Sequence, residues 1–315
     1  MNDRRSPKGA LRSPTLLLPL LFAGLSVGGP SLFAAVPVDV VLAVDTSGDM
    51  DEEVADLVAG LNGYAALLAS GGADPHIVVI GSGFCVPAPL GSGACPGDES
   101  LPGYRHVSTA IDSSNALAMI LATHPQWAPS LRPGSVRVIA VVSSDNSSIS
   151  AAAFQSELFA LDPTFQGYQF HAYVAHTSCG LPGGPGPGGI YLDLVAQTGG
   201  VTGDLCSQTI APFLTASALE VIALANEFRR GDANRDGAFD IADAIATLAH
   251  LFSGSALPCR LAGDANDDEA LDIGDPITML AALFSGGSPL PPPSADCGGD
   301  PTPGSLDCAS PLPCS

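Results

Sequence analysis

An internal duplication constrains this chain more than any other feature. Residues 231–254 read GDANRDGAFDIADAIATLAHLFSG and residues 263–286 read GDANDDEALDIGDPITMLAALFSG. At an offset of 32, sixteen of the 24 positions are identical, so one unit has been copied and both copies should build the same local structure. Counted from the first Asp of each copy, positions 1, 3, 5, 9 and 12 are Asp232, Asn234, Asp236, Asp240 and Asp243, then Asp264, Asn266, Asp268, Asp272 and Asp275. A tight loop can turn alternate side-chain oxygens onto one sphere of about 2.4 Å radius, together with the position-7 main-chain carbonyls of Ala238 and Ala270. That donor set suits a hard cation. Without one the carboxylates repel, so each loop is expected to order around Ca²⁺, giving two calcium sites.

The spacing is that of an EF-hand loop, with Asp at position 12 where Glu is usual. Position 6 must turn left-handed. It is Gly237 in the first copy and Glu269 in the second, a difference of about 1 kcal/mol that predicts a weaker second site. A helix follows each loop, with apolar residues at Ile241, Ile245, Leu248 and Phe252, and again at Ile273, Ile277, Leu280 and Phe284. Neither stripe can support a helix alone, so the two helices are expected to pack on each other as a small calcium-dependent unit. Two such loop–helix halves, over residues 231 to 286, resemble a type I dockerin. The resemblance implies calcium binding and attachment to a cohesin-like partner, as on secreted carbohydrate-degrading complexes. Dockerins often recognise that partner with small polar residues at loop positions 10 and 11; this chain has Ile241-Ala242 and Ile273-Gly274.

Upstream, the pattern changes to short buried strands alternating with helices. VDVVLAV at 38–44 and VRVIAVV at 136–142 are Val-rich runs expected to be covered on both faces. Further strands are expected at 76–80 and 170–174, and helices at 51–68, 113–122, 151–161, 190–197 and 210–228. This alternation predicts an α/β fold with a doubly wound, mostly parallel sheet over residues 36–228. Ligands of such sheets sit beyond the carboxyl ends of the strands. There the chain places Asp45-Thr46-Ser47-Gly48-Asp49 and Ser143-Ser144-Asp145-Asn146, oxygen donors suited to Mg²⁺, Mn²⁺ or Ca²⁺. The same residues could equally be helix N-caps.

VLAVDTSGDM at 41–50 is similar to the opening of a von Willebrand factor A domain, whose metal-ion-dependent adhesion site begins D-x-S-x-S. Asp45 and Ser47 match, and Asp49 stands in place of the second Ser. Ser114, with Asn115, lies where the family often has Thr-Asn; Ser113 and Thr109 are rivals for that position. Asp145 matches the Asp after the central strand, and IYLDLVAQTGG at 190–200 resembles the late helix. The resemblance implies one Mg²⁺ or Mn²⁺ site, with the extra charge of Asp49 strengthening the hold on a cation and blunting attraction for a carboxylate ligand.

Charge and cysteine usage narrow the setting. The chain has 315 residues, 11 basic and 32 acidic, for a formal charge of −21. Four of the basic residues (Arg4, Arg5, Lys8 and Arg12) precede the apolar run Leu16–Leu25, and the small residues up to Ala35 complete the pattern of a secretory signal peptide over residues 1–35. Beyond it no Lys remains, and so acidic a surface excludes nucleic acid as a partner. No later stretch has 18 consecutive apolar residues, so no transmembrane segment is expected after signal removal. Eight cysteines in an exported chain imply four disulfides. Proximity suggests 85–95, 179–206, 259–297 and 308–314. Residues 287–315 form a Pro- and Cys-rich tail. Gly81 to Tyr104 and Cys179 to Gly189 are Gly- and Pro-rich excursions.

No pair of carboxylates stands out for glycoside hydrolysis. The one G-x-S-x-G match, Gly24 to Gly28, falls in the signal segment. His171 and His176 are an odd number apart and point to opposite faces of one strand. The expectation is a secreted or envelope-associated, non-catalytic binding or adhesion protein with a protein or polysaccharide ligand outside the cytoplasm. The alternative is an accessory of an extracellular polysaccharide-degrading assembly.

Overall fold

The computed structural model describes residues 35–112, 114–177, 188–206 and 209–302, with 304, 306 and 308. The expected signal segment, except Ala35, lies outside them, as do Ser113, most of the excursion at 179–189, and Cys179 and Cys314. Among the described residues, no helix is long and apolar enough to cross a membrane.

Six strands form one sheet: β1 (Val36–Val44), β2 (Ala73–Gly81), β3 (Tyr104–Ser108), β4 (Val136–Ser143), β5 (Gln169–Val174) and β6 (Thr202–Asp204). Their order is β3-β2-β1-β4-β5-β6, and every pairing is parallel. The sheet is flanked by helices on both faces, a Rossmann-like α/β arrangement. Six helices belong to it: α1 (Asp51–Ser70), α2 (Ala116–Ala122), α3 (His124–Trp127), α4 (Ala151–Leu161), α5 (Gly189–Thr198) and α6 (Ile210–Ala225).

Strand alternation sorts the core into two layers. Val38, Val40, Leu42 and Val44 of β1 pack with Leu57 and Leu61 of α1 and Phe213 of α6. Val41 and Ala43 face the other way, onto Leu117 of α2, Phe154 of α4 and Tyr191 of α5. Asp39, the one acid inside β1, is buried at the amino end of the sheet. There it accepts hydrogen bonds from Ser135 Oγ at 2.6 Å and Arg132 Nε at 2.9 Å, and it pairs with Arg137, which compensates its burial.

Two expectations are corrected in this half. The chain after the excursion does not run straight into a helix: YRHVS at 104–108 pairs with β2 as the edge strand β3. With His106 and Arg105 breaking its apolar character, a five-residue edge strand leaves little periodic signal. The three-residue β6 was missed for the same reason.

The repeats build α7 (Ile241–Ser253), α8 (Arg260–Gly263) and α9 (Gly274–Phe284). α7 and α9 do pack together, but of the expected stripes only Leu280 packs against their shared core. Ile241, Ile245, Phe252, Ile273, Ile277 and Phe284 are exposed, Phe252 by 73% and Phe284 by 66%. The buried face is made of smaller residues, Ala233, Ala244, Ala265 and Met279, completed by Leu257 from the linker and Leu290 from the tail. A period-3.6 pattern shows which side of a helix is apolar, not whether that side is covered by this chain.

The disulfide expectation holds at Cys85–Cys95 and fails in the tail. Cys259 pairs with Cys308, not Cys297, and the two Cα atoms are 3.8 Å apart across an antiparallel bridge. The tail doubles back over the repeats, with Phe228 and Gly298 bridged in the same way, so closeness along the chain misleads there. Cys206 and Cys297 are also disulfide-bonded.

Candidate metal-binding sites

The two loops share one hydrogen-bond skeleton. At position 1, Asp232 accepts the N–H groups of Asp236 (3.0 Å) and Gly237 (3.1 Å), and Asp264 accepts those of Asp268 (3.2 Å) and Glu269 (3.0 Å). At position 3, Asn234 Oδ1 takes the Asp236 N–H at 2.9 Å and Asn266 Oδ1 takes the Asp268 N–H at 3.1 Å. At position 5, Asp236 and Asp268 each accept the N–H of the position-7 residue, Ala238 or Ala270, at 3.0 Å. At position 9, Asp240 Oδ1 takes the Ala242 N–H at 2.7 Å and Asp272 Oδ1 takes the Gly274 N–H at 2.6 Å.

Position 12 closes each loop. Asp243 accepts the N–H of Asp240 at 2.9 Å and of Asn234 at 3.1 Å; Asp275 accepts those of Asp272 at 2.8 Å and Ala265 at 3.0 Å. Both are fully buried. Burial, and in each loop the charge of the position-1 Asp, pushes their carboxyls up to about 6 against the pull of those N–H groups. A buried carboxyl held that high among other acids lacks a positive partner, which is the chemistry a divalent cation would supply. The backbone fits as well: Gly237 has φ +87°, Glu269 φ +65°, and position 4 is left-handed in both loops, at Arg235 (φ +57°) and Asp267 (φ +62°).

At the carboxyl edge of the sheet, β1 and β4 are the neighbours where the strand order reverses. Asp45, fully buried there, accepts the Ser47 N–H at 2.9 Å through Oδ1 and the Ser143 hydroxyl at 2.8 Å through Oδ2. Ser47 Oγ stands 2.7 Å from Asp45 Oδ1 and 2.8 Å from Asp49 Oδ1, so one hydroxyl proton lies between two carboxylates. Burial pushes the Asp49 carboxyl up, but hydrogen bonds from Ser47, Ser144 and its own backbone outweigh it and hold the group below the ordinary range. Asp145 follows β4, its N–H 3.3 Å from Ser143 Oγ. Ser114 is exposed on the loop before α2, and its carbonyl accepts the Ser148 N–H at 2.8 Å. Asn115 is spent on its own turn, accepting the Asp112 N–H at 2.9 Å. The edge therefore joins Asp45, Ser47, Asp49 and Ser143 directly and sets Asp145 and Ser114 on adjoining loops.

Three groups near these sites escaped the sequence. Tyr191 is buried below the edge, its hydroxyl raised by burial and by the charges of Asp45 and Asp145. Among the described residues, the trio of acids with carboxylate oxygens within 4.8 Å of one another is Asp264, Asp267 and Glu269. Asp45, Asp49 and Asp145 do not close to that spacing. Beside the trio lies Arg230, fully buried, with Nη2 2.6 Å from Asp267 and 3.2 Å from Asp300. The available signal was the adjacent pair Arg229-Arg230 immediately before the first loop in a chain otherwise poor in cations. His250, on α7, bonds the Ser255 carbonyl through Nδ1 at 2.7 Å and so ties down the helix end. No family model and no curated protein matches this chain.

Proposed function

We propose that the chain is an exported, non-catalytic binding and adhesion protein with two Ca²⁺-dependent loops and one Mg²⁺- or Mn²⁺-dependent edge. In this reading residues 229–286 form a dockerin-like calcium unit that anchors the protein to an assembly or surface partner. The α/β half, von Willebrand factor A-like, binds a protein or polysaccharide ligand through a cation held by Asp45, Ser47, Asp49 and Asp145, with Ser114 nearby. The observation that carries it is the buried position-12 aspartate of each loop: among the described residues, Asp243 and Asp275 themselves have no ion pair, although Arg230 stands 3.9 Å from the position-1 Asp264.

A second reading has one specific support. The exposed residues Ile241, Ile245 and Phe252 recur as Ile273, Ile277 and Phe284, two equivalent apolar stripes on packed helices, as a docking module for a cohesin-like partner would require. That would make the chain an accessory of a polysaccharide-degrading assembly.

Isothermal titration of the full chain tests the proposal. Two equivalents of Ca²⁺ should bind, and Asp45→Ala should remove one further Mn²⁺ equivalent while leaving both calcium events unchanged. Calcium uptake of zero sinks the anchoring claim, and an unaltered Mn²⁺ isotherm in Asp45→Ala sinks the edge site.

A further inference from the structure

A cavity of about 560 Å³ lies beyond the carboxyl ends of β2 and β3, walled by Phe84, the Cys85–Cys95 disulfide, Asp98, His106 and Ser108. Its polar floor is an unusual pairing. His106 Nδ1 is 2.6 Å from Asp98 Oδ1, and Nε2 is 3.2 Å from the Gly81 carbonyl. Asp98 is 1% exposed, and its other oxygen takes the Val86 N–H at 2.5 Å and the Tyr104 hydroxyl at 3.1 Å. Burial pushes the Asp98 carboxyl up, and the hydrogen bonds from Val86, His106 and Tyr104 outweigh it and hold the group below the ordinary range. A carboxylate and a carbonyl can only accept. A neutral imidazole has one N–H and satisfies one of them; only a doubly protonated ring donates to both.

We propose that His106 and Asp98 form a pH-sensitive latch that seats the disulfide-closed loop 82–103 on the edge of the sheet and so holds the cavity in shape. The latch joins three elements. Asp98 and Val86 belong to the loop, His106 and Tyr104 to β3, and Gly81 to the end of β2. Phe84 covers the ring, the centroids 4.9 Å apart. The other charged groups beside it are Glu99 on the loop, whose Oε1 lies 3.3 Å from the His106 N–H, and Arg105 on β3, 3.6 Å from Glu99. On the opposite side Asn62 of α1 is uncharged and bonds Ala88 O at 3.0 Å and the Leu90 N–H at 2.9 Å, and Val86 and Leu90 of the loop share the apolar cluster of Leu57 and Leu61. Loss of the ring proton leaves a lone pair facing either Gly81 O or the carboxylate, and one of the two ties breaks. The disulfide and Asn62 persist, so the loop loosens without detaching.

Hydrogen exchange on the full, oxidised chain at about pH 6 and about pH 8.5, corrected for intrinsic rates, reads the latch. Protection of residues 82–103 should fall about tenfold at the higher pH, with α4 and α5 unaffected. His106→Gln should remove that difference, and Asp98→Asn provides the same comparison if His106→Gln does not fold. Ring ¹⁵N shifts supply an independent reading at about pH 6. A neutral His106 ring there, equal corrected protection at both pH values, or a pH response surviving in a folded variant would each overturn the latch.

Discussion

The two acidic loops are the same object in backbone and different objects in charge. Their hydrogen bonds agree from Asp232 and Asp264 at the start to the position-9 N–H taken by Asp243 and Asp275 at the end, and differ only in the upstream donor, Asn234 in the first loop and chiefly Ala265 in the second. Yet residues 232–243 contain four acids and Arg235, for −3, and residues 264–275 contain six acids and no base, for −6. The first loop meets Arg229, which reaches the Gly237 carbonyl at 3.3 Å. The second is pinned from outside by buried Arg230 and by the tail, where the Thr302 hydroxyl bonds Asp267 at 2.5 Å. Duplication kept the parts that turn the chain and let the exterior diverge. Backbone geometry should therefore make the loops equally competent for calcium, while the surrounding charge makes them unequal in what they do without it.

Removing calcium from both should have the largest effect. The buried core beneath α7 and α9 has six residues, three of them alanine, too small to hold two helices against so much like charge. Chelation is expected to lower the melting of residues 229–302 by more than about 10 °C and to leave the Rossmann-like half unchanged. Circular dichroism melts with two transitions in calcium and an unshifted upper one in chelator would show this. A repeat transition indifferent to chelator would mean that the tail and the Cys259–Cys308 bridge alone hold the unit.

Separating the loops comes next. Asp243→Asn and Asp275→Asn each remove a buried closing carboxylate, and each should weaken one calcium event by about 100-fold while sparing the other. Loss of both events in either variant would break the equivalence and make the loops one cooperative site.

The turns of these loops were legible because their chemistry is local: the side chains at the spaced acidic positions capture the N–H groups that turn the chain, as Asp232 and Asp264 do with two each. The sheet was legible for a similar reason, since β1 and β4 are covered on both faces and read as Val-rich runs interrupted only by Asp39 and Arg137 among charged residues. What stayed hidden depends on distant partners. The Arg230 ion pairs join residues 37 and 70 positions apart, the tail disulfide spans 49, and the outward turn of Ile245 and Phe252 depends on which neighbours fill the core. At the sheet edge, Asp45 and Ser47 were legible from the strand end, whereas Tyr191 reaches the site from a helix across the core.

Acidity should affect both loops in parallel. The Asp243 and Asp275 carboxyls are raised to about 6 from 3.8. A folded-state value above the unfolded one gives stability that is complete below the unfolded value and is lost as pH climbs through the folded one. The calcium-free unit is thus firmest in mild acid and weakest near neutrality, and a cation takes over where the protons leave. Calcium affinity should drop at both sites as pH falls below about 6, and melts in chelator should rise over the same interval. Opposite trends at the two loops would show that the outer charges, not the position-12 aspartates, govern binding.

The smallest effect isolates the divergence itself. Glu269 holds φ +65° where the first loop has Gly237 at +87°, and its carboxylate lies within 4.8 Å of those of Asp264 and Asp267. Burial raises that carboxyl first, and Asp300, Asp264 and Asp267 raise it further, against a hydrogen bond from Thr302. Glu269→Gly removes the left-handed strain and a carboxylate crowded by Asp264, Asp267 and Asp300, at the cost of added freedom in the unfolded chain. The calcium-free unit should gain about 1 kcal/mol. Affinity at the second loop should decline only a few-fold, because a nearby charge is lost and no ligand is. The two signs oppose each other, which makes the experiment decisive. If Glu269→Gly instead weakened the second site as strongly as Asp275→Asn, Glu269 would be a ligand, and the loops would differ in coordination as well as in surroundings.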